Sequence, residues 1–431
     1  MNTEKKTASV LTLGCKVNQY ESEAIAEKLE ENGFTVVPFG EACEVAVINT
    51  CTVTSEGGRK ARQMIRRTAK DFPACRILVT GCDAQLEPEK LLALPGVVYV
   101  CGTRNKMTVV AEALRAVNGD TGKKNGVVPA EGDFEEMKIA RFDRTRAYVK
   151  IQDGCNAHCT YCIIPHVRGD IVSRKREDVI GEIRALAASG CPEVVLTGIE
   201  TSAYEYGLSG MMEEIEGIDG IRRVRLGSLD PSFMKPAFTD AIASLSKTAH
   251  HFHLSLQSGS DRILAKMKRK YNRTMALNNM EYLRSVMPDV MFSTDVMTGF
   301  PGETEEDFLD TVDFAKRARF LHIHVFTYSR RPGTPADRMP DQVPEEIKIE
   351  RSHRLIEVGN GIRNEIYREV IEKGQSLEVL IETVKNGIAS GHTGNFIECV
   401  FPVPDCENLR GTFVNVQPVG IDGETLRCEV R

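Results

Sequence analysis

The chain has 431 residues, 42% of them hydrophobic, a formal net charge of −6 and thirteen cysteines. Its length predicts roughly two to four domains with cores of their own, and the lack of any apolar run of about eighteen residues excludes a membrane-spanning helix. The N-terminus MNTEKKTASV carries charge but no apolar leader, so a cytoplasmic protein is expected, with thiols kept reduced and a disulfide framework excluded.

In chain order, ASVLTLG (8–14) reads as a short buried strand and NQYESEAIAEKLEENG (18–33) as a helix stopped by Gly33. The pattern repeats with EVAVINT (44–50) before a helix through RKARQMIRRTAK, RILVTG (76–81) before a short helix near EPEKLLAL, and VVYVCG (97–102) before TVVAEALRAV. This alternation predicts an α/β fold with a doubly wound parallel sheet over residues 1–118. Cys15, Cys51 and Cys82 follow the first three strands, at the edge where such sheets bind ligands. Cys101 ends the fourth. The spacing therefore allows an open three-cysteine site, a closed four-cysteine site, or four thiols that are simply core.

Residues 119–140, rich in Gly and charge, read as a linker. A second alternation fills 141–373, with strands AYVKIQ (147–152), EVVLTG (193–198), RVRLGSL (223–229), HFHLSLQ (251–257), FSTDVMTGF (292–300) and LHIHVFTYS (321–329). Six strands separated by helical segments predict a (β/α)6 partial TIM barrel, whose carboxyl-end loops build the site. Those loops are GCNAHCTYC, TGIETSAYEYG, SLDPS, QSGSD, GFPGETEED and YSRRPGTP. A helix is predicted over 345–373. Residues 374–431 alternate apolar and polar positions between Gly, Asn and Asp turns, which predicts a small antiparallel β-barrel.

Four basic clusters interrupt the acidic total: RKARQMIRR (59–67), RKR (174–176), RRVR (222–225) and KMKRK (266–270). They read as solvated faces or as a nucleic-acid surface. In GCNAHCTYC, Cys155, Cys159 and Cys162 leave a fourth ligand position to be filled. A zinc site would need His158 or His166, and His158 would have to turn back on its own loop. A cubane on three cysteines leaves one iron for a ligand from solution. The amine and carboxylate on the methionine end of S-adenosylmethionine suit that iron, in a five-membered chelate.

CNAHCTYC fits the C-x-x-x-C-x-x-C signature of the radical S-adenosylmethionine superfamily, including the aromatic Tyr161 before the third cysteine. TLGCKVNQYESE, INTCTV and TGCDAQ resemble the amino-terminal domain of the methylthiotransferases within it. HLSLQSGSDRILAKMKRKY, TDVMTGFPGETEEDF and HVFTYSRRPGTPADRM resemble that family's barrel, and 374–431 resembles a TRAM domain. The likeness covers essentially the whole chain. GCKVNQYESE is most similar to the tRNA enzymes acting on N6-threonylcarbamoyladenosine beside the anticodon. Relatives act on isopentenyladenosine or on an aspartate of a ribosomal protein.

The resemblance implies two 4Fe–4S clusters, one on Cys155, Cys159 and Cys162 and an auxiliary one on Cys15, Cys51 and Cys82, without Cys101. It implies reductive cleavage of S-adenosylmethionine, hydrogen removal from adenine C2, sulfur supplied at the auxiliary cluster, and a methyl group from a second S-adenosylmethionine. The implied partners are the tRNA anticodon stem-loop and a flavodoxin or ferredoxin-type electron donor, with no membrane and a monomeric chain. Glu200 in TGIE falls where such enzymes contact the methionine ammonium, although relatives carry a neutral or imidazole side chain there. Gln257, Ser258 and Asp295 point to the same rim, or serve as caps and turn formers.

KMKRK with Tyr271 suits phosphate and base contact. Across 374–431 four basic residues (Lys385, Arg410, Arg427, Arg431) face eight acidic ones, so RNA affinity is expected mainly from the helix and barrel clusters. The alternative is a shape-specific patch of His392, Asn395 and Phe396. Cys43, Cys75, Cys191, Cys399, Cys406 and Cys428 read as core or incidental thiols. A two-cluster electron-transfer protein, with Cys101 closing the first site, is the non-enzyme alternative.

Overall fold

The computed structural model describes residues 6–52, 55–142, 145–404 and 409–431, so Cys406 lies outside the described residues. Strands β1 (Lys6–Thr12), β2 (Phe34–Val36), β3 (Val45–Thr50), β4 (Arg76–Gly81), β5 (Val97–Val100) and β6 (Lys124–Asn125) form one sheet in the order β2-β1-β3-β4-β5-β6. Every pairing in it is parallel. All six residues of β3 are buried, as a central strand covered by helices on both faces requires. β6 is new: it lies in the segment read as a linker and extends the sheet beside β5.

The second unit carries β7 (Ala147–Lys150), the short antiparallel pair β8 (Gln152–Asp153) and β9 (Val172–Ser173), and then β10 (Glu193–Thr197), β11 (Arg223–Leu226), β12 (His251–Gln257), β13 (Met291–Thr298) and β14 (His322–Thr327). β7, β10 and β11 form one parallel sheet and β12, β13 and β14 another. Single bridges, Val224 to Thr248 and Leu229 to Leu254, join the two into one arc of six strands in chain order. The helix Glu305–Ala318 outside β14 begins in a capping box of Thr304 and Asp307. Tyr20 and Ala24 of the amino-terminal helix Lys16–Glu31 are buried in the same core as Ile180 and Ile183 of the second unit. The two units therefore share an apolar seam.

The helix Glu345–Lys373 runs against β14 and leads into β15 (Leu377–Lys385), β16 (Ile388–Thr393), β17 (Glu398–Pro402), β18 (Phe413–Asp422) and β19 (Thr425–Val430). The order is β15-β16-β17-β19-β18, with β18 returning to β15. This sheet is mixed rather than antiparallel as expected, because β17 and β19 run parallel. It also shares a core with its neighbours: Leu355, Ile366 and Tyr367 of the long helix pack with Val379, Ile381 and Phe401.

Parts of two basic clusters turn inward, while Lys175 and Arg222 stay exposed. Arg223 and Arg225 bind Glu193 at 3.1 and 2.7 Å, Arg222 binds Glu378 of β15 at 2.7 Å, and Arg225 donates to the Thr393 carbonyl at 2.6 Å. Arg174 is buried on Glu182. Among the described residues no helix is long and apolar enough to cross a membrane.

Candidate active site: two groups of three cysteines

The cysteines of the amino-terminal group stand just beyond strand ends. Cys15 caps the helix Lys16–Glu31, Cys51 follows β3, and Cys82 opens the helix Cys82–Leu86 after β4. Gly14 shows how closely the first two loops approach. A Cβ on it would stand 2.5 Å from the Cys51 Cβ and 2.6 Å from its Sγ, and its φ of 102° favours glycine. Cys15 is exposed, whereas Cys51 and Cys82 are buried. The Cys15 thiol lies within electrostatic reach of Arg168. The Nε–H of that same arginine donates to Cys82 Sγ at 3.4 Å.

Cys101 belongs to the core instead. It is packed with Val109 and Ala113, and burial pushes its thiol up to about 11. The side chains acting on it are Thr80, Thr108, Lys106 and Glu135.

The second group lies on the loop after β8. Gly154 begins it at a φ of 73°, where a Cβ would meet the Asp170 carbonyl oxygen at 1.9 Å. The Cys155 N–H donates to the Gly169 carbonyl at 3.1 Å, the Thr160 hydroxyl donates to the Lys266 carbonyl at 2.9 Å, and the Ala336 N–H donates to the Thr160 carbonyl at 2.8 Å. Arg269 Nη1 donates to Cys159 Sγ at 3.3 Å. Burial pushes the Cys155 thiol up to about 11 and the Cys162 thiol up to about 12. His158 and His166 are exposed.

The two groups are neighbours. Cys82 is buried with Ile163, Ile164 and Val167, and Cys155 and Cys162 pack against that cluster.

Among the described residues no three Cys, His, Asp or Glu side chains converge closely enough to hold a single ion. A four-iron cluster takes each thiolate on a different iron, so its ligand sulfurs stand apart. The donor set suits it: three thiols on a pinned loop, with burial disfavouring the bare thiolate until a cationic partner binds. An arginine N–H is already directed at one sulfur.

A cavity of about 530 Å³ opens beside this loop, lined by Cys159, Glu200, Asp230, Phe233, Phe238 and Arg269 and edged by Lys268 and Lys270. Burial raises the Glu200 carboxyl, opposed by a hydrogen bond with Ser202, and the Glu200 N–H donates to Gln152 Oε1 at 2.8 Å. Arg269 Nη2 donates to Asp230 Oδ2 and to the Ser255 carbonyl, both at 2.9 Å. The Tyr271 hydroxyl donates to the Ser255 carbonyl at 3.0 Å and to that of Leu256.

KMKRK is thus split. Lys268 and Lys270 are exposed, while Arg269 and the buried Tyr271 hold the carboxyl end of β12. Tyr271 has no face to offer a base.

Of the rim residues expected from sequence, Glu200 lines the cavity and three others do not. Gln257 is buried at a φ of 72°, where the β12–β13 register shifts. Ser258 Oγ accepts the Ser260 N–H at 3.2 Å and lies 3.5 Å from Thr311 Oγ1, which makes it a turn former. Asp295 Oδ2 sits 3.1 Å from His253 Nε2. Tyr161 packs on the cluster of Met267, Phe300 and Tyr328 beside Arg269.

Lys16, next to Cys15, is acted on by Arg225, Arg146 and Asp295 of the barrel, and desolvation lowers its pKa. Cys15 and Lys16 are both exposed, and Lys16 lies within electrostatic reach of those barrel charges.

Phe396 stacks on His251 and His392 with centroids 4.5 and 4.4 Å apart, and Asn395 Nδ2 donates to the Asp289 carbonyl at 3.1 Å. The patch considered for RNA contact is the seam between the last sheet and the barrel.

Arg168, Glu21, Lys16 and Asp230 are the site residues that sequence reasoning missed. Asp230 had a signal, since SLDPS follows a barrel strand. Lys16 and Glu21 lie within GCKVNQYESE, where no spacing rule singles them out, and Arg168 is an isolated charge.

Residues 149–315 match the family model described as Radical SAM superfamily, and residues 7–102 match Uncharacterized protein family UPF0004. The threonylcarbamoyladenosine tRNA methylthiotransferase MtaB of Bacillus subtilis (strain 168) is 38% identical over 423 residues, covering 95% of this chain and 93% of the relative. Its Thermotoga maritima counterpart is 36% identical, covering 92% of this chain and 91% of the relative. The tRNA-2-methylthio-N(6)-dimethylallyladenosine synthase of Carboxydothermus hydrogenoformans is also 38% identical, over 88% of each chain. Among solved structures, the radical S-adenosylmethionine methyltransferase TsrM from Kitasatospora setae aligns with a TM-score of 0.59 over 78% of this chain and 75% of that one. At 16% identity this is a likeness of fold. With two cysteine groups of the expected spacing, and relatives this similar over nearly its whole length, the chain belongs to the radical S-adenosylmethionine methylthiotransferase family.

Proposed function

We propose that this enzyme adds sulfur and a methyl group at C2 of N6-threonylcarbamoyladenosine in tRNA, the nucleoside named for the Bacillus subtilis and Thermotoga maritima relatives. Percentage identity alone does not select the nucleoside, because a dimethylallyladenosine synthase is also 38% identical, although it covers 88% of this chain against 95% for the threonylcarbamoyladenosine enzyme. The observation that carries the choice is Lys16. A threonylcarbamoyl group ends in a carboxylate, whereas a dimethylallyl group is apolar. Lys16 follows Cys15 directly, is exposed, and lies within electrostatic reach of Arg146 and Arg225. Among the described residues it has no ion-pair partner, and Asp295 is engaged by His253. A cation so placed favours a substrate bearing negative charge.

Radical S-adenosylmethionine enzymes hold a 4Fe–4S cluster with S-adenosylmethionine, and Cys155, Cys159 and Cys162 would hold it here. When bound, the pair supplies one-electron chemistry able to take hydrogen from an aromatic carbon, which side-chain acids and bases do not reach. The chain's own part is orientation. Glu200 and Asp230 give the cavity two carboxylates for an ammonium group, Phe233 and Phe238 give it an apolar wall, and Arg269 directs an N–H at the Cys159 sulfur. Cys15, Cys51 and Cys82 would hold a second cluster, the sulfur-supplying one. Support comes from the closeness of the Gly14 and Cys51 loops and from the Arg168 N–H on Cys82. The last sheet, as a TRAM-like module, would add to the tRNA surface.

Mass spectrometry of digested tRNA from cells lacking the protein tests the reading. Loss of 2-methylthio-N6-threonylcarbamoyladenosine is the expected result. Loss of the 2-methylthio-dimethylallyl nucleoside alone would assign the other substrate.

A further inference from the structure

Behind the amino-terminal cysteines lies a network of charged side chains that are all at most 2% exposed. Arg168 is its hub, and each of its three nitrogens is committed. Nη1 donates to Glu21 Oε1 at 3.0 Å and to Asp153 Oδ1 at 2.9 Å, Nη2 donates to Asn18 Oδ1 at 2.6 Å, and Nε donates to Cys82 Sγ at 3.4 Å. Lys150 binds Glu21 at 2.8 Å and Asp153 at 2.6 Å, and Lys106 binds Glu21 and Asn49, the latter at 3.0 Å. Three cations are thus in direct contact with two carboxylates. Glu135, the next acid outward, is occupied by the Met107 N–H at 2.8 Å. Burying an unanswered charge costs several kcal/mol, and the group lying against the excess is the Cys82 sulfur.

The hub also reaches the other two cysteines. Asn18, held by Arg168, donates through Nδ2 to the Leu13 carbonyl at 2.8 Å and to the Thr50 carbonyl at 2.9 Å. Those carbonyls end the strand segments that lead into Cys15 and Cys51. From the other side, the Thr103 hydroxyl and the Arg104 guanidinium donate to the Val167 and Arg168 carbonyls at 2.6 and 2.7 Å. Arg168 ends the short helix Ile164–Arg168 that follows Cys162, so one stretch of the barrel carries its own cysteine group and a brace for the other.

We propose that Arg168 is a positioning residue for the amino-terminal cysteine site. It holds the Cys82 sulfur directly, braces the Cys15 and Cys51 loops through Asn18, and raises the reduction potential of the cluster held there. This rests on the reading that Cys15, Cys51 and Cys82 hold a cluster. Hydrogen bonds to ligand sulfurs and nearby positive charge both favour the reduced, more negative state. The network keeps the guanidinium from turning away. Arg269 does the corresponding work at Cys159, but from a wall open to the cavity.

The test uses full-length protein in which Cys155, Cys159 and Cys162 are replaced by alanine, so that only the amino-terminal cluster remains, with potentials read by spectroelectrochemistry and the cluster by electron paramagnetic resonance. Arg168→Gln leaves two lysines on two carboxylates, a balanced set. Its reduced-to-oxidised ratio at a fixed potential is expected to fall about tenfold, equivalent to about 59 mV for one electron. Glu21→Gln leaves the guanidinium less neutralised and is expected to shift the ratio the opposite way. Opposite shifts are not what a purely structural role produces, and the sign of either variant alone decides if the other does not fold. Unchanged potentials, or shifts of the same sign, overturn the proposal. A parent protein without iron would overturn the cluster reading itself and the proposal with it.

Discussion

The two cysteine groups stand side by side but are built in opposite ways. The group at Cys155, Cys159 and Cys162 faces a cavity of about 530 Å³ with Arg269 on its wall. Cys82 of the other group backs onto a buried network in which Arg168, Lys106 and Lys150 meet only Glu21 and Asp153, one carboxylate fewer than the cations. One group borders an open cavity, and the other is braced by contacts from both units. An arginine N–H on a single thiol is common to both, which separates what any such site needs from what each adds.

The strongest break of the comparison removes a sulfur. Cys159→Ala and Cys82→Ala are each expected to abolish formation of the 2-methylthio nucleoside while lowering bound iron by about half, read by iron analysis and mass spectrometry of tRNA. Full activity with Cys82→Ala would make the amino-terminal group ornamental.

Removing Glu21 tests the buried network. Glu21→Ala leaves Lys150 and Arg168 on Asp153 and Lys106 with no carboxylate partner, and an equilibrium unfolding series is expected to show a loss of about 3–5 kcal/mol. Asp230→Ala, which removes a partly exposed partner of Arg269, should cost clearly less.

The seam between the barrel and the last sheet gives a pH-dependent counterpart. Arg225, Arg146 and Arg223 hold Glu193 down to about 2 against the opposing effect of burial. With an unfolded value near 4.3, its contribution of about 3 kcal/mol is fully present above roughly pH 5 and is lost as pH falls toward 2. Glu193→Gln should flatten that part of a stability-against-pH curve.

Beside Cys15 of the amino-terminal group, Lys16→Gln is expected to raise the KM for tRNA carrying threonylcarbamoyladenosine about tenfold, about 1.4 kcal/mol, with kcat little changed and iron content intact. The smallest effect belongs to Lys268→Ala with Lys270→Ala. Weaker tRNA binding by a few fold and a salt slope shallower by about one to two would show phosphate contact without disturbing Arg269. A triple replacement including Arg269 would confuse the two roles, because that side chain touches Cys159.

Much of this was legible in the sequence because it repeats or is spaced. Strand alternation located the central strands of the first sheet and the six strands of the barrel to within a few residues, but not the short edge strands β2 and β6, and the cysteines were readable because each follows a strand or sits at a ligand interval. The last sheet was read as antiparallel because alternation reports which face is buried but not which strands pair, and the parallel β17–β19 contact lies between distant segments. Arg168 was hidden for a related reason: its partners Asn18 and Glu21 lie about 150 residues away in the chain, and no period links them. RRVR and KMKRK misled through composition. Arg223 and Arg225 were counted as surface charge but are buried on Glu193, and Arg269 hides among exposed lysines.

That the chain holds two separate clusters, each on three cysteines, is tested most directly by iron analysis with electron paramagnetic resonance of the variant lacking Cys155, Cys159 and Cys162. The account predicts about half the iron of the unaltered protein and the spectrum of one 4Fe–4S cluster. A protein that folds but holds no cluster would contradict it.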